Sequence, residues 1–159
     1  MTHDVIFLSG YICSGKHTFS KQSLPDHTPI VVSDIVKSIT GKVTRKELQD
    51  TANLDTEIAQ RICDIINDNP LKQYVVDGIR QRSIYEYIKV FCKGLDLYTA
   101  EIWLNVPIEV CKARFEWTRQ GTNKENISFE RAFERDKQLG LLDLEQLWKQ
   151  NHCIIVNNF

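Results

Sequence analysis

The sequence predicts an α/β domain, a parallel sheet of five strands with helices as right-handed crossovers. Two observations carry this expectation. Short apolar runs alternate with segments that repeat apolar residues at the helical period. Two of the runs, Asp4 to Ser9 and Tyr74 to Val76, stop abruptly at Gly10 and at Asp77-Gly78, as buried parallel strands do. No internal repeat, low-complexity tract or linker interrupts the 159 residues, so one domain over 1–159 is expected.

The elements follow in order. Asp4 to Ser9 (DVIFLS) reads as the first strand, and a helix begins at Lys16 and runs to Gln22. Ile30 to Val32 is a second short strand, with a helical stretch from Ser33 to Ile39. Thr56 to Asn67 places Ile58, Ile62, Ile65 and Ile66 at helical spacing. Tyr74 to Val76 is the third strand, and Ser83 to Phe91 the helix after it. Thr99 to Val106 is the fourth strand; Pro107 opens the next helix at a first-turn position, and the helix runs to about Thr118. Arg119 to Asn126 is polar and aperiodic, hence a loop. Ser128 caps a helix that ends at Gly140, with Arg131 where a capping box carries an acid. Asp143 to Asn151 is a short helix before the last strand, Cys153 to Val156.

Composition narrows the function classes. The chain is 42% hydrophobic and 26% charged, enough apolar material for a core without covalent staples. A net charge of −1 excludes a polycation, so any contact with nucleic acid needs a local basic patch. The five cysteines, Cys13, Cys63, Cys92, Cys111 and Cys153, are odd in number and lack a CxxC pair. They read as buried or loop thiols in a reducing cytosol rather than as disulfides or zinc ligands. The start Met-Thr-His-Asp is no signal peptide, and no apolar run reaches membrane-spanning length. A soluble, cytoplasmic protein is expected.

The strongest motif is Gly10-Tyr11-Ile12-Cys13-Ser14-Gly15-Lys16, which fits G-x-x-x-x-G-K between a strand and a helix. Glycines let the backbone amides turn inward on a phosphate. The helix amino end adds partial positive charge, and Lys16 reaches the β- and γ-oxygens. Gly10, Cys13, Ser14, Gly15, Lys16, His17 and Thr18 are therefore the expected nucleotide-binding residues. The hydroxyl usual after the lysine is displaced by one position, because His17 intervenes before Thr18. His17 reads as a solvent-side or packing residue.

With the G-x-x-x-S-G-K-x-T spacing, the chain resembles the P-loop nucleoside and nucleotide kinases of adenylate-kinase type. Three further segments match in order. Tyr74-Val75-Val76-Asp77-Gly78-Ile79-Arg80 is similar to the family's third-strand element, where an aspartate faces the metal's waters and an arginine grips the acceptor. Asn105 to Arg114 is similar to its strand-then-helix element, whose arginine lies near adenine and phosphates. Phe129 to Lys137 is similar to the helix after the lid, whose arginines point at the transferring phosphate. The closing Ile154 to Asn158 resembles the strand beside the adenine pocket. The resemblance implies a P-loop three-layer sandwich with a short lid near 119–127, and ATP and Mg²⁺ as cofactors. It implies Thr18 and Asp77 on the metal side, and Arg114 and Asn157 at the nucleotide. Lys16, Arg119, Arg131 and Arg135 fall on the transferring phosphate, and Asp77 and Arg80 on the acceptor.

Other readings of these residues stay open. Asp77 could cap a strand end. Arg131 and Arg135, four apart on one helix face, could be solvated partners of Glu130 and Glu134. Phe115 and Trp117, interleaved in the basic segment Lys112 to Lys124, could pack in a core or lid or stack on bases.

The acceptor hinges on Asp34. A monophosphate acceptor is already ionised, whereas a hydroxyl benefits from a carboxylate that takes its proton. Asp34, with Lys37 three residues on, resembles the aspartate of polynucleotide 5′-hydroxyl kinases. Dephospho-coenzyme A kinases also place an aspartate there, and Asp is a favoured helix N-cap. Short inserts leave an open site that suits a bulky acceptor. Phage enzymes that phosphorylate 5-hydroxymethyluracil in DNA are small kinases of this superfamily, and the sequence is compatible with them. A hydroxyl kinase acting on a nucleic-acid or nucleoside acceptor leads, with Asp34 and Lys37 at that acceptor. A deoxynucleoside monophosphate kinase is the alternative, and a P-loop ATP-binding module without catalysis a third. The sequence leaves the oligomeric state open.

Overall fold

The computed structural model describes residues 3–41, 54–119 and 127–157, leaving out the side chain of Arg119. Most of the expected lid, the Arg119 side chain, Lys124 and Asn158 lie outside the described residues. The described elements run β1 (Val5–Gly10), α1 (Lys16–Ser23), β2 (Thr28–Val31), α2 (Val32–Thr40), α3 (Asp55–Asp68) and β3 (Tyr74–Asp77). They continue with α4 (Arg82–Gly94), β4 (Thr99–Asn105), α5 (Ile108–Arg119), α6 (Phe129–Leu139), α7 (Leu141–Gln150) and β5 (Ile154–Asn157).

All strand pairs are parallel, in the order β2-β3-β1-β4-β5. The central strand shows why its sequence is continuously apolar. Val5 and Phe7 enter one core layer, with Ile58, Ile62 and Ile66 of α3, Ile84 and Ile88 of α4, and Trp148 of α7. Ile6 and Leu8 enter the other, with Phe19 of α1, Phe115 of α5 and Phe129 of α6. Both faces of β1 are covered, so alternation has no place in it. Each fully buried isoleucine contributes roughly 2 kcal/mol relative to an exposed one. The edges read differently. Pro29, which cannot donate to a ladder, sits in edge strand β2. On the opposite edge, β5 leaves Ile154 and Ile155 nearly half exposed.

Element ends differ from expectation by a few residues, for local reasons. Val32, expected to close the second strand, is the first residue of α2, because the chain passes into the helix straight from extended Val31. Pro107 precedes α5, and its carbonyl accepts from Cys111 N at 3.1 Å, so it occupies the cap position rather than the first turn. Gly140, at φ 118, ends α6 and starts α7, which therefore begins at Leu141 rather than Asp143. That backbone conformation is one an L side chain resists. The Ser128 cap forms as expected, its hydroxyl accepting from Arg131 N at 3.2 Å.

The five thiols are free: Cys63, Cys92 and Cys111 are buried, Cys13 and Cys153 half-buried. Burial pushes Cys63 up to about 12 and Cys92 up to about 11, which keeps both protonated and inert. Among the described residues no helix is long and apolar enough to cross a membrane.

Candidate active site

β1 ends at Gly10, in register with Leu104 of β4. A Cβ at Gly10 would stand 2.6 Å from Ser14 Oγ and 3.1 Å from the Leu104 carbonyl oxygen. Only glycine lets the loop close on the sheet there. Ser14 N donates to Tyr11 O at 3.0 Å, and Cys13 (φ 60) and Gly15 (φ 90) adopt left-handed conformations. Backbone of this kind turns successive amides into one concavity, a seat for anionic oxygens. Gly15 caps α1, so the amino end of that helix faces the same concavity. Lys16 Nζ folds onto the carbonyls of Gly10 and Tyr11, each at 3.2 Å.

Ser14 Oγ is buried with no hydrogen-bond partner. A buried hydroxyl in that state lacks an acceptor that a phosphate oxygen in the loop would supply. The Tyr11 ring anchors the loop from behind, against Trp103 of β4 and Phe133 of α6, and its hydroxyl donates to Glu145 of α7. Burial first, and then Glu145, hold that hydroxyl well above its ordinary pKa.

In front of the loop lies a cleft of about 290 Å³. One wall is Ile12, Cys13 and Gly15 to Thr18; the other is Val31, Ser33, Asp77, Gly78 and Arg80. Asp77 is the buried last residue of β3, with Oδ2 3.4 Å from His17 Nδ1. Arg80 leaves the β3–α4 turn and is fixed through Nε to Asp136 Oδ1 of α6 at 3.1 Å. Asp136 is 1% exposed and the Arg80 side chain 21%, so a buried carboxylate holds a guanidinium at the rim of the cleft.

Of the remaining expected residues, Asp34, Lys37, Arg114, Arg131, Arg135 and Asn157 are not in the lining of this cleft. Asp34 occupies the first turn of α2, beyond the cap position, which Val31 holds. Its side chain is 69% exposed and 4.0 Å from Lys37 Nζ. The N-cap reading of Asp34 is therefore corrected: the residue beside it, Ser33, lines the cleft. Arg131 is exposed, and Arg135 buries an Nη1 without a hydrogen-bond partner. Their neighbouring glutamates pair with lysines, Glu130 with Lys112 at 2.6 Å and Glu134 with Lys137 at 3.0 Å.

Arg114 Nη1 donates to Cys13 O at 3.4 Å and lines an apolar recess with Gly15, Ala113, Trp117 and Thr118. Phe115 is core, whereas Trp117 is 73% exposed over that recess. Asn157 accepts from Asn105 Nδ2 at 2.8 Å and lines a second recess beside Tyr11.

The fold has counterparts among solved structures. Shikimate kinase from Bacteroides thetaiotaomicron superposes with a TM-score of 0.60 at 18% identity, over 98% of this chain and 86% of that one. Shikimate kinase from Acinetobacter baumannii in complex with shikimate gives 0.62 at 16%, over 99% and 85%. The tunicamycin resistance protein of Deinococcus radiodurans gives 0.54 at 13%, over 96% and 97%.

The fold is that of the P-loop kinases.

No protein-family model and no curated protein sequence matches the chain. The chemistry of the P-loop site rests on its own residues. The loop fits a polyphosphate: inward backbone, a helix amino end, Lys16 and the orphaned Ser14 hydroxyl. A divalent cation fits less completely. Among the described residues no group of three or more His, Cys, Asp or Glu could hold a metal. A cation here would take most of its ligands from phosphate and water, with Asp77 beside it.

Sequence reasoning missed three contributors to the P-loop site: Asp136, Tyr11 and Ser33. Asp136 stands next to Arg135 in the helix after the lid, but nothing in the sequence says that it faces Arg80. Ser33 is the neighbour of Asp34, and only the turn into α2 shows that it, and not Asp34, lines the cleft.

Proposed function

We propose that the protein is an ATP-dependent phosphotransferase that moves the γ-phosphoryl group to a hydroxyl of a nucleic-acid or nucleoside acceptor, such as 5-hydroxymethyluracil in DNA. The observation that carries this reading is the cleft itself. A phosphate-cradling loop with Lys16 faces Arg80, a cation locked in place by a buried carboxylate. An acceptor that carries its own anionic group would be gripped by Arg80 while its hydroxyl approaches the γ-phosphorus.

The acceptor oxygen forms the new P–O bond as the bond to the β–γ bridging oxygen breaks, releasing ADP. The hydroxyl proton passes to Asp34, the carboxylate next in the chain to cleft-lining Ser33. Lys16, and Arg131 and Arg135 from α6, balance charge on the transferring group. Mg²⁺ bound with ATP would neutralise charge on the β- and γ-oxygens, with Asp77 and Thr18 on its side of the cleft. The protein works as a single domain in the cytoplasm on this reading.

One observation favours a second reading, a deoxynucleoside monophosphate kinase. A guanidinium pinned as Arg80 is suits a phosphate as the acceptor itself, and that acceptor needs no base.

The deciding experiment supplies γ-labelled ATP with a panel: 5′-hydroxyl oligonucleotides, hydroxymethyluracil DNA, nucleosides, nucleoside monophosphates and shikimate. Label on a hydroxyl of the first three supports the leading reading, and label on a monophosphate moves the assignment to the second. Label on shikimate alone keeps the phosphotransferase and replaces its acceptor. Absence of any ATP binding overturns both readings.

A further inference from the structure

Position 17, directly after the phosphate-loop lysine, is a histidine whose ring lies against the carboxylate of β3. His17 Nδ1 is 3.4 Å from Asp77 Oδ2, and both residues line the cleft. The imidazole is 62% exposed, so no packing demand holds it there. The contact is long for a charge-assisted hydrogen bond, which closes to about 2.7–2.9 Å. Adjacent donors on an octahedral cation with bonds of about 2.1 Å stand about 3 Å apart. The pair therefore stands near chelating distance, one residue from the lysine that addresses the β- and γ-phosphates.

We propose that His17 and Asp77 are a two-point seat for the divalent cation that accompanies the nucleotide. The imidazole nitrogen binds the ion directly and tunes the site away from Mg²⁺ toward first-row transition ions, of which Mn²⁺ is the one closest to Mg²⁺ in its taste for oxygen. The inference rests on the reading that this loop binds a nucleotide. Its chemistry follows from the donors. Mg²⁺ prefers oxygen and sheds water reluctantly, whereas imidazole raises affinity for first-row transition ions. Among the described residues no third His, Cys, Asp or Glu completes a metal cluster, so the seat stays open to phosphate oxygens, water and the neighbouring Thr18 hydroxyl. A lone carboxylate would give an ordinary oxygen environment; His17 changes its ligand class.

The test uses the full chain with Mn²⁺ and ADP, so no turnover is required. Pulsed EPR of the ternary complex reads nitrogen bound to the manganese. Strong coupling to an imidazole nitrogen in the wild type, lost in His17→Ala, is the expected result. Calorimetry on the same proteins should show the Mn²⁺-over-Mg²⁺ preference falling at least about tenfold in His17→Ala. ADP binding with Mn²⁺ but without imidazole coupling, or with coupling unchanged in the variant, overturns the proposal and leaves the kinase reading intact. Failure of ADP to bind with either cation overturns both. Because His17 is exposed, the variant should fold, which a matching circular dichroism melt verifies.

Discussion

The two walls of the cleft hold their shapes by different means. The phosphate loop keeps its form through backbone: left-handed residues at Cys13 and Gly15, and a glycine at position 10 that presses on Leu104. It sits on β1, whose neighbours on both sides are strands. The facing wall depends on side chains drawn from distant segments. Its cation, Arg80, is held by Asp136 of α6, and α2 offers Ser33 from an edge of the sheet, with Asp34 next to it in the chain. A backbone-coded wall tolerates little variation and suits the part of a reaction that does not change, the polyphosphate. A side-chain-coded wall can be rewritten by single substitutions, which suits the acceptor.

The contrast can be broken most severely on the loop side. Lys16→Ala should reduce phosphoryl transfer by about 10³-fold or more while the melting temperature stays near wild type, since Lys16 supplies charge rather than core packing. Turnover close to wild type would remove the phosphate loop from the mechanism.

On the acceptor side, Asp34→Asn should slow single-turnover transfer to a hydroxyl acceptor by about 10²–10⁴-fold with ATP binding intact. With a monophosphate acceptor the same variant should turn over normally. A normal rate on a hydroxyl acceptor would eliminate Asp34 as the base.

Asp136→Ala sharpens the comparison because it touches neither substrate. Removing one partner of a buried pair costs about 3 kcal/mol, the lower end because Arg80 reaches solvent. The melting temperature should fall by about 6–12 °C. The acceptor KM should rise about tenfold while the ATP KM holds. Asp136→Asn, which keeps an oxygen for Arg80 Nε, should recover most of the stability. Equal changes in both KM values would mean that Asp136 supports the whole cleft rather than Arg80.

The smallest effect concerns Cys13, which lines the cleft and is half-buried. Saturating ATP should slow its alkylation by iodoacetamide, read by peptide mass mapping. Cys63 and Cys92, whose thiols burial holds protonated, should react only on unfolding.

The described elements, their order and the phosphate loop are legible in the sequence, because each is written in local terms. Apolar runs such as Asp4 to Ser9, helical spacing at Ile58, Ile62 and Ile66, and glycines at fixed offsets need no distant partner to be read. Boundaries shifted by a few residues, most clearly where one backbone torsion decided them, at Val31–Val32 and at Gly140. Tertiary structure alone decided which side chains meet. Neither the Arg80–Asp136 pair nor the His17–Asp77 contact has a sequence period, since each joins segments that only the sheet order brings together. Trp117 shows the same limit from the other side: the sequence leaves it open between core, lid and base stacking, and the structure exposes it over a recess that α5 and the phosphate loop form together. A contact made across the fold depends on where two elements dock, and that is set by the packing of the whole core.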